Sequence, residues 1–134
     1  MAGYSGKPLQ KKLGLKPGMR AAFLKAPSSY RSDLGKLPAD VQLLSRLGKE
    51  MDFVHLFCGS KRELKTKLPG AKRSLSKDGL IWVSWVKKSS GLESDLGEAD
   101  VRKEGLKIGL VDVKICAVDD TWSGLKFVYR LKDR

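Results

Sequence analysis

Few residues in this chain are equipped for metal or redox chemistry. There are two cysteines and one histidine in 134 residues, and neither Cys58 nor Cys116 has a CxxC partner or ligand-spaced neighbours. The usual zinc arrangements are therefore missing, and no metal site is expected. Both cysteines sit inside apolar, strand-like runs and read as buried free thiols. His55, in the middle of DFVHLF, reads as a satisfied core histidine. Apolar runs extend only a few residues, which excludes a membrane-spanning helix. The first residues, Met1-Ala2-Gly3-Tyr4, lack a signal-peptide core, so the chain reads as cytoplasmic. GxxxxGK[ST], HExxH and GxSxG are absent as well.

What is present is a chain of ordinary globular composition, 41% hydrophobic and 31% charged, of a length that suits one domain over residues 1–134. Its net charge is +12, unevenly spread. Residues 1–50 carry 10 basic and 3 acidic side chains, residues 51–91 carry 9 and 3, and residues 92–134 carry 8 and 9. The positive field thus belongs to the first two thirds and favours anionic partners.

Along the chain, SGKPLQKKLGLKPG predicts a short helix, with Pro8 at its first position and Gly14 at its C-terminal cap. Strands are predicted at 19–25, 41–45, 53–58 and 80–85. DFVHLFC and LIWVSW are nearly continuous in apolar residues, as strands buried on both faces require. Between them lies the clearest helix. Ser60 and Glu63 form a capping box, and Leu64, Leu68, Ala71 and Leu75 recur at helical spacing. Pro69 should kink or restart that helix. Lys77-Asp78-Gly79 reads as a turn, and Asp95 as the cap of a further helix weakened by Gly105 and ended by Gly109. LVDVKICAV alternates, with Val111, Val113, Ile115 and Ala117 on one side, and LKFVYRL alternates again as its hairpin partner. The fold class is α/β: a small Rossmann-like three-layer sandwich with a mostly parallel sheet and a C-terminal antiparallel hairpin.

The order of LKPGMRAAFLKAP, MDFVHLFCGSKRELKTKLPGAKRSLSKDGLIWVSW and a terminal hairpin resembles a shortened Rossmann-like methyltransferase domain. That resemblance implies strand order 2-1-3-4-6-5, which puts the two cysteines on non-adjacent strands without a disulfide. KKLGLKPG, DFVHLF, DGLIWVSWVKK and DDTWSGLKFV are similar to segments of a family of small bacterial proteins, domain-of-unknown-function family 3052, for which no activity is established. The methyltransferase pattern breaks at the cofactor site. Lys25-Ala26-Pro27-Ser28-Ser29-Tyr30 stands where a glycine-rich turn is expected, and Glu50 is the one acid near the end of VQLL. No catalytic residue is carried over, no cofactor is expected, and S-adenosylmethionine is expected not to bind well.

In open α/β sheets, ligands gather at the carboxyl ends of the strands. Three of those ends are basic here, which predicts a ligand site built from Lys25, Ser28, Ser60, Lys61, Arg62, Lys87, Lys88 and Ser89, with Trp122 at its rim. Gly59 to Lys61 would offer helix N–H groups to an anion. The favoured function is a non-enzymatic binding module for a phosphate-bearing small molecule or a protein partner. Two alternatives are sequence-independent nucleic-acid binding, through the N-terminal segment and the basic 60–76 helix, and a divergent transferase. With no acid–base or nucleophile–base pair to name, the sequence leans away from an enzyme.

Overall fold

A computed structural model describes residues 8–134. The N-terminal tetrapeptide and the start of the basic N-terminal segment lie outside them. Elements run α1 (Leu9–Leu13), β1 (Arg20–Leu24), α2 (Tyr30–Leu34), β2 (Gln42–Leu44), β3 (Met51–Phe57), α3 (Lys61–Ser74), β4 (Leu75–Val86), α4 (Glu98–Lys107), β5 (Leu110–Ala117) and β6 (Trp122–Tyr129). They form one six-stranded sheet in the order β2-β1-β3-β4-β6-β5. The first four strands pair in parallel; β6 is antiparallel to β4 and β5 antiparallel to β6. The expected order and hairpin are therefore observed.

Two apolar layers follow from period-two alternation in the central strands. Val54, Leu56, Ile81 and Val83 point to the face covered by α3 and α4. Phe53, Phe57, Leu80 and Trp82 point to the face covered by α1 and α2. Burial on both sides is why β3 and β4 are almost continuously hydrophobic. α3 begins at Ser60, whose Oγ accepts from the Glu63 amide at 3.1 Å. It packs Leu64, Leu68 and Ala71 against the sheet.

Several local expectations need correction. α3 does not restart at Pro69 but runs through it as one element, because the same buried stripe holds both sides of the proline against the sheet. Leu75 ends the stripe as the first residue of β4. Pro8 caps α1 instead of opening it. Lys77-Asp78-Gly79 is an irregular stretch within β4, where the pairing shifts between Met51↔Leu75 and Phe53↔Leu80. A Cβ at Gly79 would lie 2.7 Å from the Met51 carbonyl oxygen, so only glycine fits there. β5 does not alternate throughout, since a register shift between Asp112 and Lys114 puts Val111 opposite Val128 but Ile115 opposite Leu125. Those two partners belong to opposite layers. Asp95 does not cap α4. Gly97 occupies that position, and Asp100 accepts its amide at 3.0 Å.

Candidate functional site

Among the described residues, two separate clefts lie along the carboxyl edge of the sheet. The first, of about 430 Å3, lies where β1 and β2 end, between Phe23, Ala26, Ser28 and Arg31 on one side and Leu43, Leu44 and Ser45 on the other. Its size falls in the ordinary range for small-molecule sites. The turn that frames it starts at Lys25, which takes a φ of +61°, a left-handed conformation more usual for glycine. α2 follows at once, and its residues Tyr30 and Leu34, four apart, turn inward together. Sequence reasoning missed this helix, which is too short to show a period; the Tyr30/Leu34 spacing was its one signal.

Beneath that turn runs a buried string of hydrogen bonds. Tyr30 Oη lies 2.7 Å from His55 Nδ1, and His55 Nε2 lies 2.7 Å from Ser84 Oγ. All three side chains are buried, so the string ties α2 to β3 and β4. Burial pushes the imidazole down to about 3, so His55 is neutral at physiological pH. Burial also pushes the Tyr30 phenol far above its usual range. The histidine is thus the satisfied core residue expected.

The second cleft, of about 580 Å3, lies at the end of β4 and is walled by Trp85, Lys87, Lys88, Leu92, Asp95, Glu98, Asp100, Ile115 and Ser123, among others. Both signs of charge line it. The connection that opens the wall is a short 3-10 turn, Lys88–Ser90, closed by Gly91 at φ +79°.

The predicted ligand residues are distributed over this edge without converging on one cavity. Ser28 lines the first cleft and Lys87 and Lys88 the second, and the two clefts share no lining residue. Lys25 and Ser89 are exposed. Lys87 acts as a clasp, its Nζ donating to the Asp119 carbonyl at 2.7 Å and its amide to the Thr121 carbonyl at 2.8 Å. Trp122 packs edge-on against Phe57, ring centroids 5.2 Å apart. At Ser60, Lys61 and Arg62 the helix start is supplied with acceptors from within the chain. The Gly59 amide donates to Glu63 Oε1 at 2.7 Å and the Lys61 amide to Asp95 Oδ1 at 2.8 Å. Lys61 Nζ sits 3.5 Å from Asp100. Carboxylates thus take up the groups that were to meet an anion, and Asp95, read as a cap for the following helix, serves this one.

Other chemistry is limited. Burial pushes the Cys58 thiol up to about 12, with Glu63 adding to the effect and Lys67 opposing it, so it is no nucleophile. Cys58 and Cys116 are both unbridged. Among the described residues, no three His, Cys, Asp or Glu side chains cluster to hold a metal ion, and no helix is long and apolar enough to cross a membrane.

Similarity to solved structures identifies the architecture. A putative type 11 methyltransferase from Sulfolobus solfataricus matches at 14% identity over 91% of this chain and 89% of its own, with a TM-score of 0.64. The fold is that of Rossmann-like methyltransferases. Magnesium protoporphyrin IX methyltransferase from Synechocystis PCC 6803, with bound SAH, matches at 13% identity over 85% of this chain and 75% of its own (TM-score 0.59). Aeropyrum pernix fibrillarin, in complex with natively bound S-adenosyl-L-methionine, matches at 14% identity over 95% of this chain and 71% of its own (TM-score 0.58). No protein-family model matches the chain, and no curated protein matches it. Identity this low speaks for a shared fold. The recurrence of methyltransferases among these neighbours nevertheless corrects the preference for a non-enzymatic binding module and the leaning away from an enzyme. The transferase alternative is the better supported one.

Whether the chain suits S-adenosylmethionine can be tested on the first cleft. The left-handed backbone at Lys25 reproduces the bend of a glycine turn, yet a lysine side chain stands where glycine would leave room for close approach. Ser45 and Arg46 follow β2 in place of a ribose-binding carboxylate, and Glu50 is six residues beyond Leu44. The usual grip on that cofactor is not present. The cleft supplies instead an apolar floor, the hydroxyl groups of Ser28 and Ser45, and the Arg31 guanidinium.

Proposed function

We propose that this chain is a divergent transferase of the methyltransferase class that holds its donor unusually. The observation carrying this reading is the cleft at the carboxyl ends of β1 and β2, in a fold similar to that of solved methyltransferases. In such sheets that edge is where ligands collect. Phe23, Leu43 and Leu44 suit a flat apolar group such as a nucleoside base, and Ser28 and Ser45 suit its sugar hydroxyls. The second cleft, walled by Trp85 and Lys87, then offers room for an acceptor beside the end of β4. Membership of domain-of-unknown-function family 3052 and the bacterial origin that goes with it belong to the same proposal, as does a cytoplasmic location. The membership is supported by KKLGLKPG, DGLIWVSWVKK and DDTWSGLKFV.

The test is a thermal-shift screen of nucleoside-bearing donors, S-adenosylmethionine and SAH included, followed by calorimetry. A donor is expected to raise the unfolding temperature of the parent chain and not that of Leu43→Arg, which fills the cleft. S-adenosylmethionine itself is expected to rank below the best donor. Finding no donor that stabilises the parent, or equal stabilisation of both proteins, would remove the transferase reading.

A further inference from the structure

Outside β4, the sheet face shared with α1 carries positive charge that no carboxylate pairs with among the described residues. α1 reaches as far as Trp82, whose Nε1 donates to the Leu13 carbonyl at 2.7 Å. Beyond that contact, Lys114 of β5 and Lys126 of β6 are register partners on one face. Like charges directly opposite each other on a sheet are destabilising. Lys126 Nζ also approaches the end of α1, where a Cβ on Gly14 would lie 3.9 Å from it. Lys12 extends from α1 to the Ala117 carbonyl at the far end of β5, 3.1 Å away. Lys16 stands in the loop after α1, two residues past Gly14, and burial, then Lys114 and Lys16, hold the Lys126 amine below its ordinary range. The ion pairs among the described residues are Lys61–Asp100, Arg102–Glu98 and Arg102–Asp112, and none involves these lysines.

We propose that the ledge made by Lys12, Lys16, Lys114 and Lys126 is a docking surface for the phosphate backbone of a nucleic-acid duplex. The four amines come from a helix end, a loop and two paired strands, all on the face shared with α1. A small anion would neutralise one or two of them, whereas a polyanion of regularly spaced phosphates meets them all and releases its counterions. A single strand would call for exposed aromatic rings on which bases stack. Here Trp82 is buried and Trp122 stands edge-on to Phe57. A bilayer would call for apolar side chains among the lysines. Ile115, next to Lys114, pairs with Leu125 on the opposite face. Binding by charge alone, without base readout, is what this ledge can deliver. The inference does not depend on the transferase reading, since binding is measured without any donor.

The experiment is fluorescence anisotropy of a short labelled DNA duplex across a range of salt concentrations. K114E/K126E is compared with K65E/K67E, the same charge change on exposed residues of α3. The ledge variant is expected to lose at least about tenfold in affinity and about two units of salt slope, and the α3 variant to keep most of both. The neutral pair K114T/K126T, checked for folding by thermal denaturation, should lose slope in the same way. Equal losses from ledge and α3 variants, or no loss from the ledge, would mean diffuse charge and overturn the proposal. Tighter binding of the single strand, or of vesicles rich in anionic lipid, would overturn the assigned occupant.

Discussion

Tyr30 and His55 meet at 2.7 Å, phenol oxygen to Nδ1, in a layer where neither touches solvent. The contact joins the helix that frames the first cleft to the centre of the sheet. It also makes the fold sensitive to acid. His55 has a pKa of about 3 when folded against an ordinary 6.5, so between these values the unfolded chain binds a proton that the folded chain does not. Stability is therefore lost as pH falls below about 6.5, by about 2 kcal/mol down to pH 5 from this residue alone. Urea unfolding at pH 7 and pH 5 measures it. His55→Gln should remove most of that difference, and an unchanged pH dependence in the variant would contradict the assignment.

Removing the phenol oxygen isolates the other end of the contact. Tyr30→Phe keeps the aromatic packing on Phe23 and Phe57 but leaves His55 Nδ1 without its partner. A buried polar group deprived of its hydrogen bond costs about 1–3 kcal/mol. Chemical denaturation should show a loss in that range, and a loss below about half a kcal/mol would mean that the string is not continuous in solution.

Gly105 yields a prediction opposite to helix propensity. In α4, alanine would ordinarily be favoured over glycine by about 1 kcal/mol. Yet a Cβ at this position would overlap the Phe127 ring on β6, so α4 lies against the sheet only because residue 105 lacks a side chain. Gly105→Ala should therefore destabilise by about 1–3 kcal/mol, as overpacked cores do. A stabilised variant in thermal unfolding would show that α4 can lift away freely.

The same glycine shows where sequence reading stops. Continuous apolar runs, period-two alternation and helical spacing within single segments were enough for the strands, for α3 and for the hairpin, because each pattern reports which faces are buried. Gly105 read as a weak point of a helix; its meaning lies in a ring 22 positions further along the chain. Asp95 likewise looked like a local cap, whereas its carboxylate serves the Lys61 amide 34 residues earlier. The candidate site was legible as an edge and not as a cavity. Ser28 and Lys88 were assigned to one basic site, but two clefts separate them. The capping-box spacing announced Glu63 at the helix start, but nothing in the residue pattern revealed that Asp95 would satisfy it too.

Asp95 can be tested directly. Asp95→Ala withdraws the acceptor from the Lys61 amide and a negative charge from the start of α3, without removing buried apolar surface. Loss of a capping group costs about 0.5–2 kcal/mol. Because the second cleft loses one carboxylate at the same time, its wall should become more positive. Denaturation midpoints measure the first effect. A variant as stable as the parent would show that solvent replaces Asp95 at no cost.

At Lys114 stability and positive charge pull in opposite directions. Across the β5–β6 pair it faces Lys126, and the Lys126 amine is held below its usual range by burial first and by Lys114 next. Changing Lys114→Glu turns a repulsive cross-strand pair into an attractive one. Opposite charges at such positions contribute roughly 0.2–1 kcal/mol, and the exposure of residue 114 puts the gain towards the lower end. The variant should unfold at a slightly higher denaturant concentration than the parent in low salt. The gain should shrink as salt is added, because exposed charges are screened. Lys126→Ala in the same background should abolish it. A variant no more stable than the parent in low salt would mean that the two ammonium groups already keep apart, and that their pairing carries no strain for a partner to relieve.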